Sequence, residues 1–168
     1  MPPPQTQQPP PTAVLAYATR PAVPEDLPAI NALHGRCSLA TRFARYQCAR
    51  SSLKESEYQH LLDAGSTWVT TPADSDEVVI AVTHLLHTST PAVRELALLI
   101  DEAWQGQRLG GRLADLALDA ARADPSCRAV SVLTGATNRR MLRILRRRGA
   151  VIPPAHGPTL DITLTVER

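Results

Sequence analysis

The chain has 168 residues, enough for one domain with a self-supporting core and short for two. Its 18 Lys and Arg against 16 Asp and Glu leave a net charge of +2, which argues against a polybasic nucleic-acid binder. No apolar run approaches the ~20 residues of a membrane helix, prolines and glutamines stand where a signal peptide would sit, and Cys37, Cys48 and Cys127 form no Cys-x-x-Cys pair, so a soluble cytoplasmic protein with reduced thiols, no membrane partner and no metal is expected.

Residues 1–12 hold six of the 15 prolines and no large apolar side chain, so they read as a disordered leader that cannot offset its ordering entropy. Residues 13–168 form the expected folded domain. A strand is expected over 14–20. Pro24 followed by Glu25 and Asp26 opens a helix with proline first and carboxylates at the positive dipole end, and Leu27, Ile30 and Leu33 carry it to about 37. Helical stretches follow over 39–47 and 53–63. The pattern then turns to β, with strands over 67–71, 78–87 and 93–100 joined by turns short enough for an antiparallel meander. Leu109, Leu113, Leu116, Ala117 and Ala120 mark a helix over 103–123. A buried strand over 129–133, a helix over 139–148 and an alternating strand over 160–166 complete the chain.

Charge is unevenly placed. Arg139, Arg140, Arg143, Arg146, Arg147 and Arg148 fall within one helix, and setting these six aside leaves a net −4 elsewhere. Met141, Leu142, Ile144 and Leu145 supply that helix's apolar stripe, which places most of the arginines outward on a solvated face. Without interleaved aromatics, the cluster does not resemble a nucleic-acid surface.

Chemistry concentrates in ELALLIDEAWQGQRLGGRL, residues 95–113. A strand enters a polar turn containing Gln105, Gly106, Gln107, Arg108, Gly110 and Gly111, and the turn opens a long helix. Glycines there let a ligand approach the backbone, and unpaired N–H groups at a helix N-terminus attract phosphate. Neither a Walker loop nor a GxGxxG fingerprint is present.

This run resembles the acyl-CoA signature of the GNAT family of N-acetyltransferases, Gln/Arg-x-x-Gly-x-Gly/Ala, with Gln105 first, Gly110 last and Arg108 where the family usually has glycine. Asn138 followed eleven residues later by Gly149 matches the family's second ligand segment. Leu145 stands where many members place a tyrosine acid. With Glu95 ten residues before Gln105, the chain is most similar to the acetyltransferase domains of bacterial Pat-type protein lysine acetyltransferases. The resemblance implies a GNAT fold of the α/β (α+β) class: a mixed, mostly antiparallel sheet of six to seven strands flanked by about four helices.

It also implies roles. Acetyl-CoA would be the cosubstrate, its pyrophosphate cradled by amides of Gln107, Arg108, Leu109, Gly110 and Gly111, within a loop started by Gln105 and Gly106. Leu98, Leu99 and Ile100 would pair with the pantetheine arm and Asn138 would hydrogen-bond it. Arg139 or Arg140 would assist at phosphate, and Glu95 would be the base that deprotonates an amine acceptor. A protein lysine is the first acceptor implied, a small amine such as an antibiotic or polyamine the second, and a non-catalytic acyl-CoA sensor the third reading. A monomer or homodimer is expected.

Bland readings stand beside these. Glu95 can instead pair with Arg94 at a strand edge. His84 and His87 point to opposite faces of a strand, and His34 with Cys37 makes only two ligands, so no chelate is expected. Trp68 and Trp104 read as packing residues.

Overall fold

A computed structural model describes residues 16–167. The proline-rich leader and the first residues of the expected opening strand, Val14 and Leu15, lie outside the described residues. Among those described, six strands and five α-helices run in the expected order: β1 (Tyr17–Pro21), α1 (Leu27–Arg36), α2 (Leu39–Tyr46), α3 (Glu55–Asp63), β2 (Gly65–Pro72), β3 (Ala81–His87), β4 (Val93–Ile100), α4 (Leu109–Ala123), β5 (Ala129–Gly135), α5 (Arg139–Arg146) and β6 (Thr159–Thr165). None of these helices is long and apolar enough to cross a membrane.

Local chemistry sets the boundaries. Asp26 closes the turn before α1 by accepting from the Val23 N–H at 2.8 Å and from both terminal nitrogens of Arg20 at 2.7 and 2.8 Å. Ser38 caps α2 by accepting from the Thr41 N–H at 3.2 Å. Glu57 reaches back to the Lys54 N–H at 2.8 Å to start α3, satisfying a donor that the helix itself cannot. β3 begins at Ala81 rather than 78: the Ile80 N–H bonds the Thr70 carbonyl on β2, while the Ile80 carbonyl accepts from Asp101 on the other side. That local irregularity ends regular pairing there.

The sheet is ordered β1-β2-β3-β4-β5-β6. All neighbours are antiparallel except β4 and β5, which run parallel and pair only at Val93–Ala129, Arg94–Val130 and Glu95–Ser131. Beyond Glu95 the two strands part, leaving one edge of β4 open in mid-sheet. Alternation puts two cores on the two faces. Ile30, Leu33, Tyr58, Val69, Val82 and Leu99 pack under α1 and α3, while Leu96, Ala117, Val130, Val132, Leu142 and Leu145 pack under α4 and α5. Leu142 and Leu145 are buried as the stripe on this helix requires.

Burial also fixes charge states. It holds the His84 imidazole well below its usual range and lowers that of His34. Hydrogen bonds from Arg20 lower the Asp26 carboxyl, and those from Ser126, then Arg94, hold Asp124 at about 2. All four groups bind protons more weakly folded than unfolded, so the unfolded chain takes them up first as pH falls. Stability is therefore expected to be greatest above the ordinary histidine range. It should fall below pH ~6.5 with a slope of up to ~1.4 kcal/mol per pH unit for each histidine, and fall again below pH ~4 as the aspartates titrate. Urea midpoints measured from pH 8 to 3 check this; a flat profile between 7 and 5 contradicts it.

Candidate active site

Glu95 lies on β4 at the last residue paired with β5, directly opposite Leu86 of β3. Its side chain is half-buried on the α1–α3 face and makes no hydrogen bond or ion pair among the described residues. The competing partner is taken: Arg94, on the opposite face and 5% exposed, donates to Asp124 at 2.5 Å, Ser126 at 2.8 Å and the Pro91 carbonyl at 2.7 Å. Glu95 thus faces a cleft of about 510 Å³ lined also by Arg45, Tyr46, Arg50, Glu57, His60 and Leu86 among others.

Backbone parity along β4 explains the open edge. The Arg94 carbonyl faces β5, where it meets the Ser131 hydroxyl at 3.5 Å, so Leu96, Leu98 and Ile100 also turn their N–H and C=O groups that way. With no β5 partner after Glu95, the Leu96 carbonyl and both backbone polar groups of Leu98 are open to a ligand, while the Leu96 N–H closes the last pair with Ser131. Leu99 differs from its two expected companions: its N–H and C=O turn toward β3, and its buried side chain joins the core. The Ile100 carbonyl is engaged by the Gln105 amide at 2.8 Å.

The loop that follows is shaped as a cradle. Gly106 (φ 76°) and Arg108 (φ 66°) both occupy the left-handed region, where glycine is at ease and arginine is not. Asp101 accepts from the Ala103 N–H at 3.1 Å and the Gln107 amide donates to the Ala103 carbonyl at 2.9 Å, which fixes the loop without using the amides of residues 106–111. These donate to no backbone carbonyl among the described residues. They sit at the N-terminus of the 15-residue α4, where the helix dipole adds to their attraction for anions. The residues fit a pyrophosphate, and the neighbouring β4 edge fits an amide-bearing arm.

Helix α5 is strapped to this loop. Arg140 donates to the Gln105 Oε1, and Arg148 holds Asp115 with two bonds of 2.7 and 2.8 Å while donating to the Gly111 carbonyl. Arg148 therefore departs from the expected solvated face. Arg139 is exposed. Asn138 is the cap of α5: its Oδ1 accepts from the Met141 N–H at 3.2 Å and its Nδ2 donates to the Thr134 hydroxyl at 3.0 Å. It leaves only one amide hydrogen for a ligand.

Arg108→Gly is expected to relieve the left-handed strain, worth ~1 kcal/mol, and raise Tm by about 2–4 °C. The same change removes a cation beside the cradle, so the KM for acetyl-CoA should rise a few-fold. Thermal unfolding together with steady-state kinetics reads both signs. An unchanged Tm removes the strain argument.

A model of the acetyltransferase (GNAT) family matches residues 33–150. The chain belongs to the acetyltransferase (GNAT) family. The family is one of N-acetyltransferases, and solved structures agree in fold. The GNAT domain of Streptomyces lividans PAT shares 14% identity at TM-score 0.74, covering 92% of this chain and 98% of that one. YncA of Salmonella typhimurium, solved with its cofactor acetyl-CoA, shares 17% at TM-score 0.69 over 90% and 95%. Spermidine N-acetyltransferase of Vibrio cholerae, in complex with CoA and spermine, shares 15% at TM-score 0.67 over 89% and 95%. No curated protein matches the sequence.

Arg45 and Tyr46, which line the cleft, carry no signal in the sequence. His34 Nδ1–H donates to the Ile30 carbonyl at 2.8 Å and the Tyr46 hydroxyl donates to His34 Nε2 at 2.6 Å; this histidine is a satisfied core residue. His84 is fully buried, shares its Nδ1 with the Thr67 hydroxyl at 2.9 Å and leaves Nε2 unpartnered. Only tertiary packing brings Arg45 and Tyr46 to Glu95. The signal, α2 laid across β4, depends on Glu102 holding the Ser38 N–H at 2.9 Å and the Thr41 hydroxyl at 2.5 Å.

Proposed function

We propose that the protein transfers an acetyl group from acetyl-CoA to a primary amine by direct attack within a ternary complex. The observation that carries this reading is the juxtaposition of an unpaired Glu95 with the opening between β4 and β5. When bound, acetyl-CoA supplies an activated thioester. The amides of residues 106–111 hold its phosphates, the open β4 edge from the Leu96 carbonyl to Leu98 orients the arm, and Arg108 and Arg139 supply nearby positive charge. Glu95 accepts a proton from the acceptor ammonium, because only the neutral amine is nucleophilic. The amine nitrogen then bonds to the acetyl carbon, the carbon–sulfur bond breaks, the thiolate leaves with the electron pair, and the nitrogen gives up its second proton to solvent to become the neutral amide. Leu145, fully buried in the core, offers no acid to it; a thiol ionising near pH ~8.5 can depart as the thiolate and take its proton from solvent.

Among primary amines, the Pat-type spacing of Glu95 and Gln105 and the missing tyrosine favour a protein lysine, and the lining of the cleft favours a small amine. An acyl-CoA sensor is the second reading, supported by Arg108 in place of glycine. Thiol release from acetyl-CoA, followed across lysine peptides, polyamines and amino acids, separates them. Release with at least one amine, with intersecting rather than parallel two-substrate plots, is expected. Saturable CoA binding with no release across the panel favours the sensor; no CoA binding overturns both.

A further inference from the structure

The acceptor cleft contains a cation that the fold leaves unmatched. Arg45 projects from α2 with its guanidinium carbon 4.5 Å from the centre of the Tyr46 ring. Its Nε is shut off from solvent with no hydrogen-bond partner, and the side chain makes no ion pair among the described residues. Arg50 donates to Glu57 at 2.9 Å; Arg42, which does not line the cleft, donates to the Arg50 carbonyl at 3.0 Å while its Nε is unpartnered too. Glu57 is further occupied by the Lys54 N–H. Glu95 shares the cleft with Arg45 and its charge is felt there, yet burial outweighs that attraction and lowers the Arg45 pKa.

Arg45 is half-buried, and its terminal nitrogens, which carry no ion pair among the described residues, are the donors a carboxylate entering the cleft would meet. Of the two carboxylates lining the cleft, Glu57 is already paired and Glu95 lies beyond ion-pair distance. The missing anion therefore arrives with the acceptor. Its ammonium faces Glu95 and its acid faces Arg45, a pairing that a neutral alkylamine cannot make. A polyamine is opposed outright, because its second cation meets Arg45 rather than a carboxylate. The volume of about 510 Å³ suits a small molecule of amino-acid size and leaves room for the thioester end.

We infer that the acceptor is a small zwitterionic amine, an amino acid or a close analogue, with Arg45 as the residue that selects its carboxylate. This rests on the N-acetyltransferase reading above, and it narrows the acceptor away from a protein lysine. It also assigns a reason for α2 to be tied to the segment after β4: the tie keeps Arg45 in the cleft that Glu95 lines.

The test compares acetyl transfer to free amino acids with transfer to their carboxamides, alongside a lysine peptide and spermidine, using the intact protein and acetyl-CoA. The free acids are expected to exceed the matched amides by about tenfold or more in kcat/KM. Arg45→Gln should collapse that ratio toward one, mainly through the acceptor KM, with the acetyl-CoA KM unchanged. Arg45→Lys should retain part of the preference. Equal kcat/KM for acids and amides in the native protein, or preference for the peptide or spermidine, overturns the zwitterion inference and leaves N-acetyl transfer standing. A ratio unchanged in a folded Arg45→Gln variant removes Arg45 from the role. Absence of thiol release with every amine overturns the transferase reading and this one with it. The native comparison needs no variant, so a poorly folding substitution does not blunt it.

Discussion

Glu95→Gln is expected to lower kcat by about 10²–10⁴-fold while leaving the acetyl-CoA KM close to native. Glutamine keeps the shape of the side chain and loses the capacity to take a proton. The fold should not notice, because Glu95 supports no ion pair or hydrogen bond among the described residues and Arg94 is already held by Asp124 and Ser126. The pH dependence supplies a second readout. With the base gone, the neutral amine must come from solution, and the rate should climb toward the amine's own ionisation, near pH ~10 for a lysine-like group. A variant that turns over normally, or whose loss appears only as a higher acetyl-CoA KM, removes the base from this position.

The second large effect is expected at Gly110. A Cβ built there lies 3.0 Å from the Ile144 Cδ1 and 3.3 Å from the Ile100 Cδ1, so the first turn of α4 is wedged between α5 and the end of β4. Valine adds two further carbons into that gap. Overpacking of this kind costs about 1–3 kcal/mol, a Tm decrease of roughly 2–10 °C at this chain length. The displacement also moves the amides of the cradle, and misplacement on the order of 1 Å can cost about 10²-fold in function. The acetyl-CoA KM should therefore rise by about tenfold or more. Gly110→Ala, which asks only for a few tenths of an ångström from two flexible methyl groups, should show a small fraction of both changes. Native stability and native KM in the valine variant would mean that the loop is not anchored at this contact.

Much of the architecture is legible in local chemistry. β-Branched and apolar runs become β3 and β4, an alternating run becomes β6, and the Leu109, Leu113 and Ala117 spacing becomes the buried face of α4. The Gly-rich turn and Glu95 are legible because their chemistry is written in consecutive residues. The split between β4 and β5 is not, since it depends on pairing that stops after three residues. Arg148 looks like one more solvated arginine until its partners Gly111 and Asp115, more than thirty positions away, are brought beside it. Arg45 and Tyr46 fall in the segment with the weakest pattern, whose placement is set by contacts to Glu102. Asn138 was readable as a ligand residue; in the fold it spends its acceptor on the α5 cap.

One measurement bears most directly on Glu95-assisted transfer: free thiol and N-acetylated amine quantified in the same reaction, with native protein and Glu95→Gln run side by side. The expected result is one thiol released per amide formed in the native protein, no release without amine, and about one percent or less of that rate in the variant despite equal acetyl-CoA binding. Thiol release without a matching acetylated amine, or equal rates in the two proteins, would contradict it.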